Sequence, residues 1–201
     1  VDRLNHNLNT SESNYEKICS THSYEDRVQT LTAAKKAGLS LCSGFIVGMG
    51  ESNRDLIDLM IELRELKAAS IPVNFLIPIS GNALTQASQG KLTPDFCLRV
   101  LAMARLVYPD AEIRAAGGRE GHLRGMEVFS YYLANSIFLD GYLNSKGSPA
   151  QQTLQLIKDA GFDIQSDIEL DSLLSNDDSA FRVEGVDQLI KNEAELHPTN
   201  L

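Results

Sequence analysis

The segment from residue 39 to residue 51 reads LSLCSGFIVGMGE, and it predicts how the rest of the chain folds. Its first nine residues have the composition of a buried strand, and the glycines at 48 and 50 end that strand in a turn. Side chains alternate along a strand, so one face carries the bulky apolar residues Leu41, Phe45 and Val47. The other face carries Cys42, Gly44 and Ile46, where the glycine leaves room for a ligand to approach the backbone.

The flanking segments repeat this alternation of strand and helix. Helical patterns cover residues 24–37, 52–69, 93–108, 122–133 and 149–161, and strand patterns cover residues 71–79, 111–115 and 136–139. Pro94 directly after Thr93 is a typical helix start, and Ser23 followed by Asp26 forms a capping-box pattern. Strands that alternate with helices of this length predict parallel β/α units, so the expected fold class is α/β.

The negative charge of the chain is concentrated in one region. The 201 residues carry a net charge of −9, and residues 163–201 hold ten acidic and two basic residues. The rest is nearly neutral and forms no basic stripe, so nucleic acid is not an expected partner. The acidic segment predicts a flexible tail, with Val186, Leu189 and Ile190 forming at most one short amphipathic helix.

The sequence also indicates a cellular compartment. It contains no secretory signal and no apolar run of membrane-spanning length, so a soluble cytoplasmic protein without a membrane partner is expected. The cysteines at 19, 42 and 97 are too few and too scattered for a disulfide framework, and their spacing fits no zinc pattern. A reducing compartment agrees with this.

Three asparagines, Asn5, Asn7 and Asn9, alternate with other residues near the start of the chain. In a strand they share one face, and carboxamides on a buried face need hydrogen-bond partners. An unpaired buried polar group costs about 1–3 kcal/mol, so a polar ligand with hydroxyls or a urea-like group is one interpretation. A solvated strand edge or an Asx-rich turn is the other, and composition alone favours it.

Six blocks of sequence, in one order along residues 1–162, resemble the biotin synthase family of radical S-adenosylmethionine (SAM) enzymes. The blocks are NHNLNTS from Asn5, CSGFIVGMGE from Cys42, IPVNFL from Ile71, IR at Ile113, GRE at Gly118 and ANSIF from Ala134. Residues 44–51 also fit the G-x-I-x-G-x-x-E pattern of radical-SAM barrels. The two glycines at 48 and 50 do not form a dinucleotide-binding loop, because Asn53 stands where a third glycine is required.

The resemblance implies the second half of a (β/α)8 TIM-type barrel. Residues 1–80 correspond to the end of the radical-SAM barrel, residues 81–162 to the biotin and thiamin synthesis associated region that completes it, and residues 163–201 to the tail. The implied activity is a sulfurtransferase reaction, the last step of biotin biosynthesis, in which sulfur is inserted into dethiobiotin by a SAM-derived radical mechanism. The implied cofactors are SAM, a [4Fe–4S] cluster and a [2Fe–2S] cluster.

Two residues match ligands of the [2Fe–2S] cluster in this family, namely Cys42 and Arg114. From the residues alone, a buried cysteine such as Cys42 usually packs without reacting. Arg114 alone would be a strand arginine in a salt bridge, since a guanidinium does not normally lose its proton. Arg119, after two glycines, is expected to lie behind these ligands. Cys19 and Cys97 match no ligand and are expected to pack or to lie on helix surfaces.

Four further positions match substrate and cofactor contacts of the family. Asn7 and Asn74 match carboxamides that bind the ureido ring of dethiobiotin, which offers the donors and the acceptor that a carboxamide pairs with. Asn7 and Asn9 also match contacts to the SAM ribose. Some relatives carry Asp at the position of Asn9, and its carboxylate accepts charge-assisted hydrogen bonds from the ribose hydroxyls. Ile46 is expected to pack on the adenine, and Ile77 to line the adenine pocket.

The sequence as it stands does not contain every part of this machinery. The gaps between its cysteines are 23 and 55 residues, so the C-x-x-x-C-x-x-C motif for the [4Fe–4S] cluster is absent, as are two further cysteine ligands of the [2Fe–2S] cluster. We therefore expect an N-terminal half of the barrel as a partner, and an inactive isolated chain that holds no stable cluster after reconstitution. Open sheet edges favour self-association, for example as a homodimer. The alternative is a non-catalytic, truncated homologue that serves as a scaffold or interaction module.

Overall fold

The structure, a computed structural model, describes residues 1–79, 84, 92–142 and 145–175. Its strands are β1 (Arg3–Asn5), β2 (Ser40–Cys42), β3 (Phe45–Val47), β4 (Ser70–Phe75), β5 (Glu112–Ala115), β6 (Ser136–Ile137), β7 (Gly141–Tyr142) and β8 (Ser145–Lys146). Its α-helices are α1 (Glu12–Ile18), α2 (Tyr24–Lys36), α3 (Asn53–Glu65), α4 (Pro94–Val107), α5 (Arg119–Leu123), α6 (Ala150–Asp159) and α7 (Leu170–Ser175), and a 3₁₀ segment covers Arg124–Tyr132.

A parallel sheet is the centre of the fold. Its strand order is β1-β2-β4-β5-β6, with β3 paired to β4, and each pair is parallel. Helices connect the strands that are neighbours in this order, as parallel pairing requires. The predicted α/β class with parallel β/α units is therefore confirmed. The pair β7 and β8 forms a separate antiparallel hairpin after the sheet.

One face of the sheet is apolar and packs against the helices. Ile71, Val73 and Phe75 of β4 are fully buried there, together with Leu59 and Leu63 of α3. The helices α2, α3, α4 and α6 start where the sequence predicts. In α2, for example, the Asp26 backbone N–H donates to Ser23 Oγ at 3.1 Å, and the Ser23 N–H donates to the Asp26 carboxylate at 2.8 Å.

The strand predicted over residues 39–47 is divided into two parts. It breaks at Ser43 and Gly44, between β2 and β3. Gly44 packs directly on the carbonyl group of Pro72 in β4, where a Cβ atom would overlap it. Pro72 has no N–H to donate to the ladder at this level, which accounts for the interruption.

The strand predicted through Asn5, Asn7 and Asn9 is shorter than expected. Regular pairing ends at Asn5, and pairing resumes in a single bridge between Asn9 and Phe45. Asn9 has a φ of 71°, in the left-handed region that asparagine tolerates. The intervening residues turn Leu8 into the core, whereas Asn5 is exposed and the other two asparagines are half-buried. A single asparagine face is therefore not formed by regular alternation.

The C-terminal elements differ from two further predictions. The helix expected over residues 122–133 is the short α5 followed by the 3₁₀ segment. Residues 163–175, predicted as part of a flexible tail, contain α7, because Leu170 and Leu173 pack against Leu154 and Ile157 of α6. The amphipathic helix predicted near Val186 lies outside the described residues. In the described part of the chain, no helix is both long and apolar enough to cross a membrane.

Candidate functional site

The face of the sheet opposite the apolar one is mainly polar, and we call it the polar face. The register aligns Asn5 with Cys42, Cys42 with Ser70, and Ser70 with Glu112. Residues two positions further along a strand point to the same side. The polar face therefore also contains these register-matched residues: Pro72, Arg114 and Ser136 in one row, and Ile46 and Asn74 in the next.

A network of charges crosses the polar face at β5. Glu112 is bonded to Arg114 on its own strand, and its second oxygen lies 3.5 Å from Arg3 Nη1. Arg114 Nε donates to Ser136 Oγ at 2.8 Å, and its guanidinium carbon lies 5.1 Å from the centre of the Phe138 ring. Burial alone would raise the pKa of Glu112, but the Arg114 charge and hydrogen bonds outweigh it, so the pKa lies below its usual value. Arg114 is thus held in place on several sides.

The predicted carboxamides fix neighbouring strands through their oxygen atoms. Asn74 is 7% exposed; its Oδ1 accepts the Gly117 backbone N–H at 3.0 Å, and its Nδ2 donates to the Phe45 carbonyl at 3.2 Å. Asn7 Oδ1 accepts the Gly44 backbone N–H, also at 3.0 Å. In both side chains the oxygen is committed to a glycine N–H, so their remaining N–H groups are the ones available to a ligand.

Cys42 and Arg114 are the two candidate cluster ligands, and they occupy neighbouring rows of the polar face. Cys42 is only 3% exposed, and Arg114 is paired with Glu112. Across the part of the chain that the structure describes, no three His, Cys, Asp or Glu side chains are grouped so as to hold a metal ion. The structure places both residues on one face of the sheet, and their assignment as cluster ligands stays a prediction.

A cavity of about 370 Å³ opens at the carboxyl ends of β4, β5 and β6. Ligands of parallel α/β folds bind at this end of the strands. Its lining combines apolar side chains, glycine backbone and charged groups: Ile77, Pro78, Ala116, Gly117, Gly118, Arg119, Glu120, Gly121, His122, Phe138 and Gly141. This lining includes Ile77, which is predicted to line the adenine pocket, and Arg119, which is predicted to lie behind the cluster ligands. Ile46 lies beside Asn74 on the polar face, and Asn9 lies at the carboxyl end of β1.

The sequence gives no signal for one polar residue at the cavity, His122, whereas a second, Arg119, is expected behind the cluster ligands. His122 Nε2 lies 2.9 Å from the Leu76 carbonyl, and the His122 ring stacks edge-on against Phe75. Arg119 is 1% exposed and paired with Glu127. The two glycines before Arg119 were the available signal, because Gly118 has a φ of 77° and a Cβ atom there would overlap the Phe75 carbonyl.

Cys19 should react faster than the buried Cys97. Its sulfur lies 3.5 Å from Thr21 Oγ1 and 3.5 Å from His22 Nδ1, and hydrogen bonds from Thr21 lower the thiol pKa to about 7. Burial raises the pKa of Cys97 to about 12. The thiolate is the reactive form, so iodoacetamide at neutral pH should modify Cys19 at least about tenfold faster than Cys97. Peptide mass spectrometry of a labelling time course measures both rates, and equal rates would contradict the assignment.

Two family models match the chain. The Radical SAM superfamily model matches residues 1–63, and the Biotin and Thiamin Synthesis associated domain matches residues 72–163. The biotin synthase of Acaryochloris marina is 53% identical over 175 residues, which cover 87% of this chain and 50% of that protein. The biotin synthase of Streptomyces coelicolor is 57% identical over 165 residues, which cover 82% of this chain and 40% of that protein. The chain thus spans half or less of the length of these two curated relatives.

Solved structures show the fold more broadly. A methylornithine synthase superposes with a TM-score of 0.65 at 16% identity, covering 86% of this chain and 54% of that one. The HMG-CoA lyase of Brucella melitensis superposes with a TM-score of 0.52 at 15% identity, and the match covers 86% of this chain and 62% of that one. At these identities the likeness concerns the fold alone, which is consistent with part of a (β/α)8 barrel.

Proposed function

Because the chain is a homologue of the biotin synthases, we propose that residues 1–163 form one wall of a biotin synthase chamber, in an enzyme that inserts sulfur into dethiobiotin. One observation carries this proposal: Cys42, Asn74 and Arg114 come from three separate strands, yet the register places them on the same face of the sheet. Asn7 joins them through its bond to Gly44. In a simple packed core, burying a polar face of this kind would cost free energy.

The two carboxamides would bind the ureido ring of dethiobiotin through nitrogen. Their oxygens already accept glycine N–H groups, so the free N–H of Asn7 and the second N–H of Asn74 are what a ligand meets. A cyclic urea presents one carbonyl oxygen, which accepts two such donors. The carboxamides would thereby orient the substrate, and the backbone bonds hold them in place before it arrives.

The cavity at the strand ends would hold part of SAM. Ile77 offers an apolar wall to the adenine, and Ile46 lies on the polar face. Asn7 and Asn9, which follow β1 outside this lining, would bind the ribose hydroxyls. Glycine backbone at residues 117 and 118 allows a ligand to approach closely. SAM and the iron–sulfur clusters implied by the matched families supply the radical and the sulfur, while this chain positions substrate and excludes water.

Cys42 and Arg114 would provide two ligands to the [2Fe–2S] cluster. The remaining ligands, and those of the [4Fe–4S] cluster, would come from a segment that corresponds to the unmatched half of the relatives. In this proposal residues 1–80 belong to the radical-SAM barrel and residues 81–162 to the associated region that completes it. Dethiobiotin is the substrate, and a homodimer of the whole enzyme is part of the proposal.

A chimaeric enzyme tests the assignment of Cys42. Residues 1–163 replace the matching region of the Streptomyces coelicolor biotin synthase, and the purified protein is reconstituted with iron and sulfide. We expect Cys42→Ala to abolish the visible absorption of the [2Fe–2S] cluster and to lower the iron content by about two atoms per chain.

The matched control is Cys97→Ala, which removes a buried cysteine of α4 that lies away from the polar face. This variant should keep the absorption of the unmodified chimaera. A Cys42→Ala chimaera that retains the complete [2Fe–2S] spectrum would refute the ligand assignment.

A further inference from the structure

Arg119 is the largest fully buried side chain among the described residues. Its Nη1 donates to Glu127 Oε1 at 2.6 Å, and its Nη2 donates to Glu120 Oε1 at 2.8 Å and to the Phe138 carbonyl at 3.2 Å. One guanidinium therefore joins α5, the 3₁₀ segment and the residue that follows β6. Its planar shape allows these bonds to form at once, which an ammonium group cannot reproduce.

The carboxylate that faces Arg119 is itself held in position. Glu127 is 7% exposed, and its Oε1 also accepts the Tyr131 hydroxyl at 2.9 Å. Burial, followed by the nearby Glu127 charge, raises the pKa of Tyr131, so the phenol stays protonated and donates. Tyr131 in turn packs with Leu154 and Ile157 of α6. The ion pair is thus connected to the C-terminal helices.

The partners of Arg119 are part of the cavity wall. Arg119, Glu120 and Phe138 all line the cavity, and Gly117 and Gly118 precede them at the end of β5. The Glu120 carboxylate also lies against Gly147, where a Cβ atom would overlap it. Moving the guanidinium would release two parts of the cavity lining, the Glu120 carboxylate and the backbone at Phe138.

A buried ion pair is a poor source of stability. Desolvation offsets most of its attraction, and apolar side chains of similar volume often serve stability equally well, whereas removing one partner alone is strongly destabilising. The three bonds of Arg119 therefore need another explanation. We infer that Arg119, oriented by Glu127, is a positioning residue that fixes these two parts of the cavity wall. The inference concerns the wall and holds whichever ligand the cavity takes.

Hydrogen exchange on the 201-residue chain separates positioning from stability. Four variants are compared: Arg119→Met, Glu127→Met, the double variant with both changes, and Arg119→Lys. The single Met variants should melt well below the parent, and the double variant should recover most of that loss. In the double variant, amides of residues 116–122 and 138–141 should still exchange about tenfold faster, while those of β4 stay protected.

The conservative variant supplies a second readout. Arg119→Lys keeps the charge beside Glu127 but cannot reach Glu120 and the Phe138 carbonyl together. It should therefore keep the parental melting temperature, while amides of the cavity wall exchange faster than in the parent. The control is Arg54→Met, because Arg54 pairs with Asp58 on an exposed helix surface and should change neither readout. The inference would be overturned if amides of the cavity wall in the double variant exchanged at the parental rate. It would also be overturned if amides of β4 exchanged faster by the same factor as those of the wall.

Discussion

Gly44→Ala is expected to destabilise the chain by about 3 kcal/mol, a large effect for adding a single methyl group. The reason is steric: a Cβ atom at Gly44 would overlap the carbonyl group and ring of Pro72 on the neighbouring strand. Neither strand can retreat easily, because β4 is buried along its whole length. The same shift would also move the Gly44 N–H away from Asn7 Oδ1. Urea unfolding at equilibrium measures the loss.

The matched control for this variant is Gly121→Ala. Gly121 lies in α5, and a Cβ atom there would meet no neighbouring atom within 4 Å. Alanine is also the better helix former, so this variant should be neutral or slightly stabilising. Equal free energies of unfolding for the two variants would show that the close contact between Gly44 and Pro72 is not as described.

Asn74→Leu is expected to reduce both stability and biotin formation. Leucine has a similar volume but leaves the Gly117 N–H and the Phe45 carbonyl unpaired in a buried place, which should cost about 2 kcal/mol or more. In the chimaera, measured well below its melting temperature, biotin formation from dethiobiotin should fall about a hundredfold or more, because the substrate carbonyl loses a donor.

Asn5→Ala serves as the control for that variant. Asn5 lies on the polar face beside Cys42, but its side chain is exposed and regular pairing of β1 ends there. It should leave stability and biotin formation near the parental values. If Asn74→Leu retains parental activity while folded, Asn74 does not contact the substrate.

The sequence predicts those parts of the fold that depend on a local pattern of residues. The period-two alternation around Cys42 separates an apolar from a polar face, and the register confirms that separation. The capping box at Ser23 is predicted from a local pattern and depends only on local contacts. Such features follow from neighbouring residues, so one sequence suffices to place them.

Other features depend on contacts that no local pattern encodes. The strand through Asn5 and Asn9 ends early because Leu8 is drawn into the core and Asn9 adopts a left-handed conformation. Glu127 lies eight residues from Arg119, and only the turn of the chain into the 3₁₀ segment brings the two side chains together. The roles of Cys42, Arg114 and the asparagines remain predictions, since they depend on groups that the rest of the enzyme would bring.

Biotin formed by the unmodified chimaera tests the central claim most directly. With residues 1–163 in place of the matching region of the Streptomyces coelicolor enzyme, we expect biotin from dethiobiotin at a yield comparable to that of the parent. Cleavage of SAM by a folded, cluster-loaded chimaera that yields no biotin would contradict the claim that this polar face is the wall that holds the substrate.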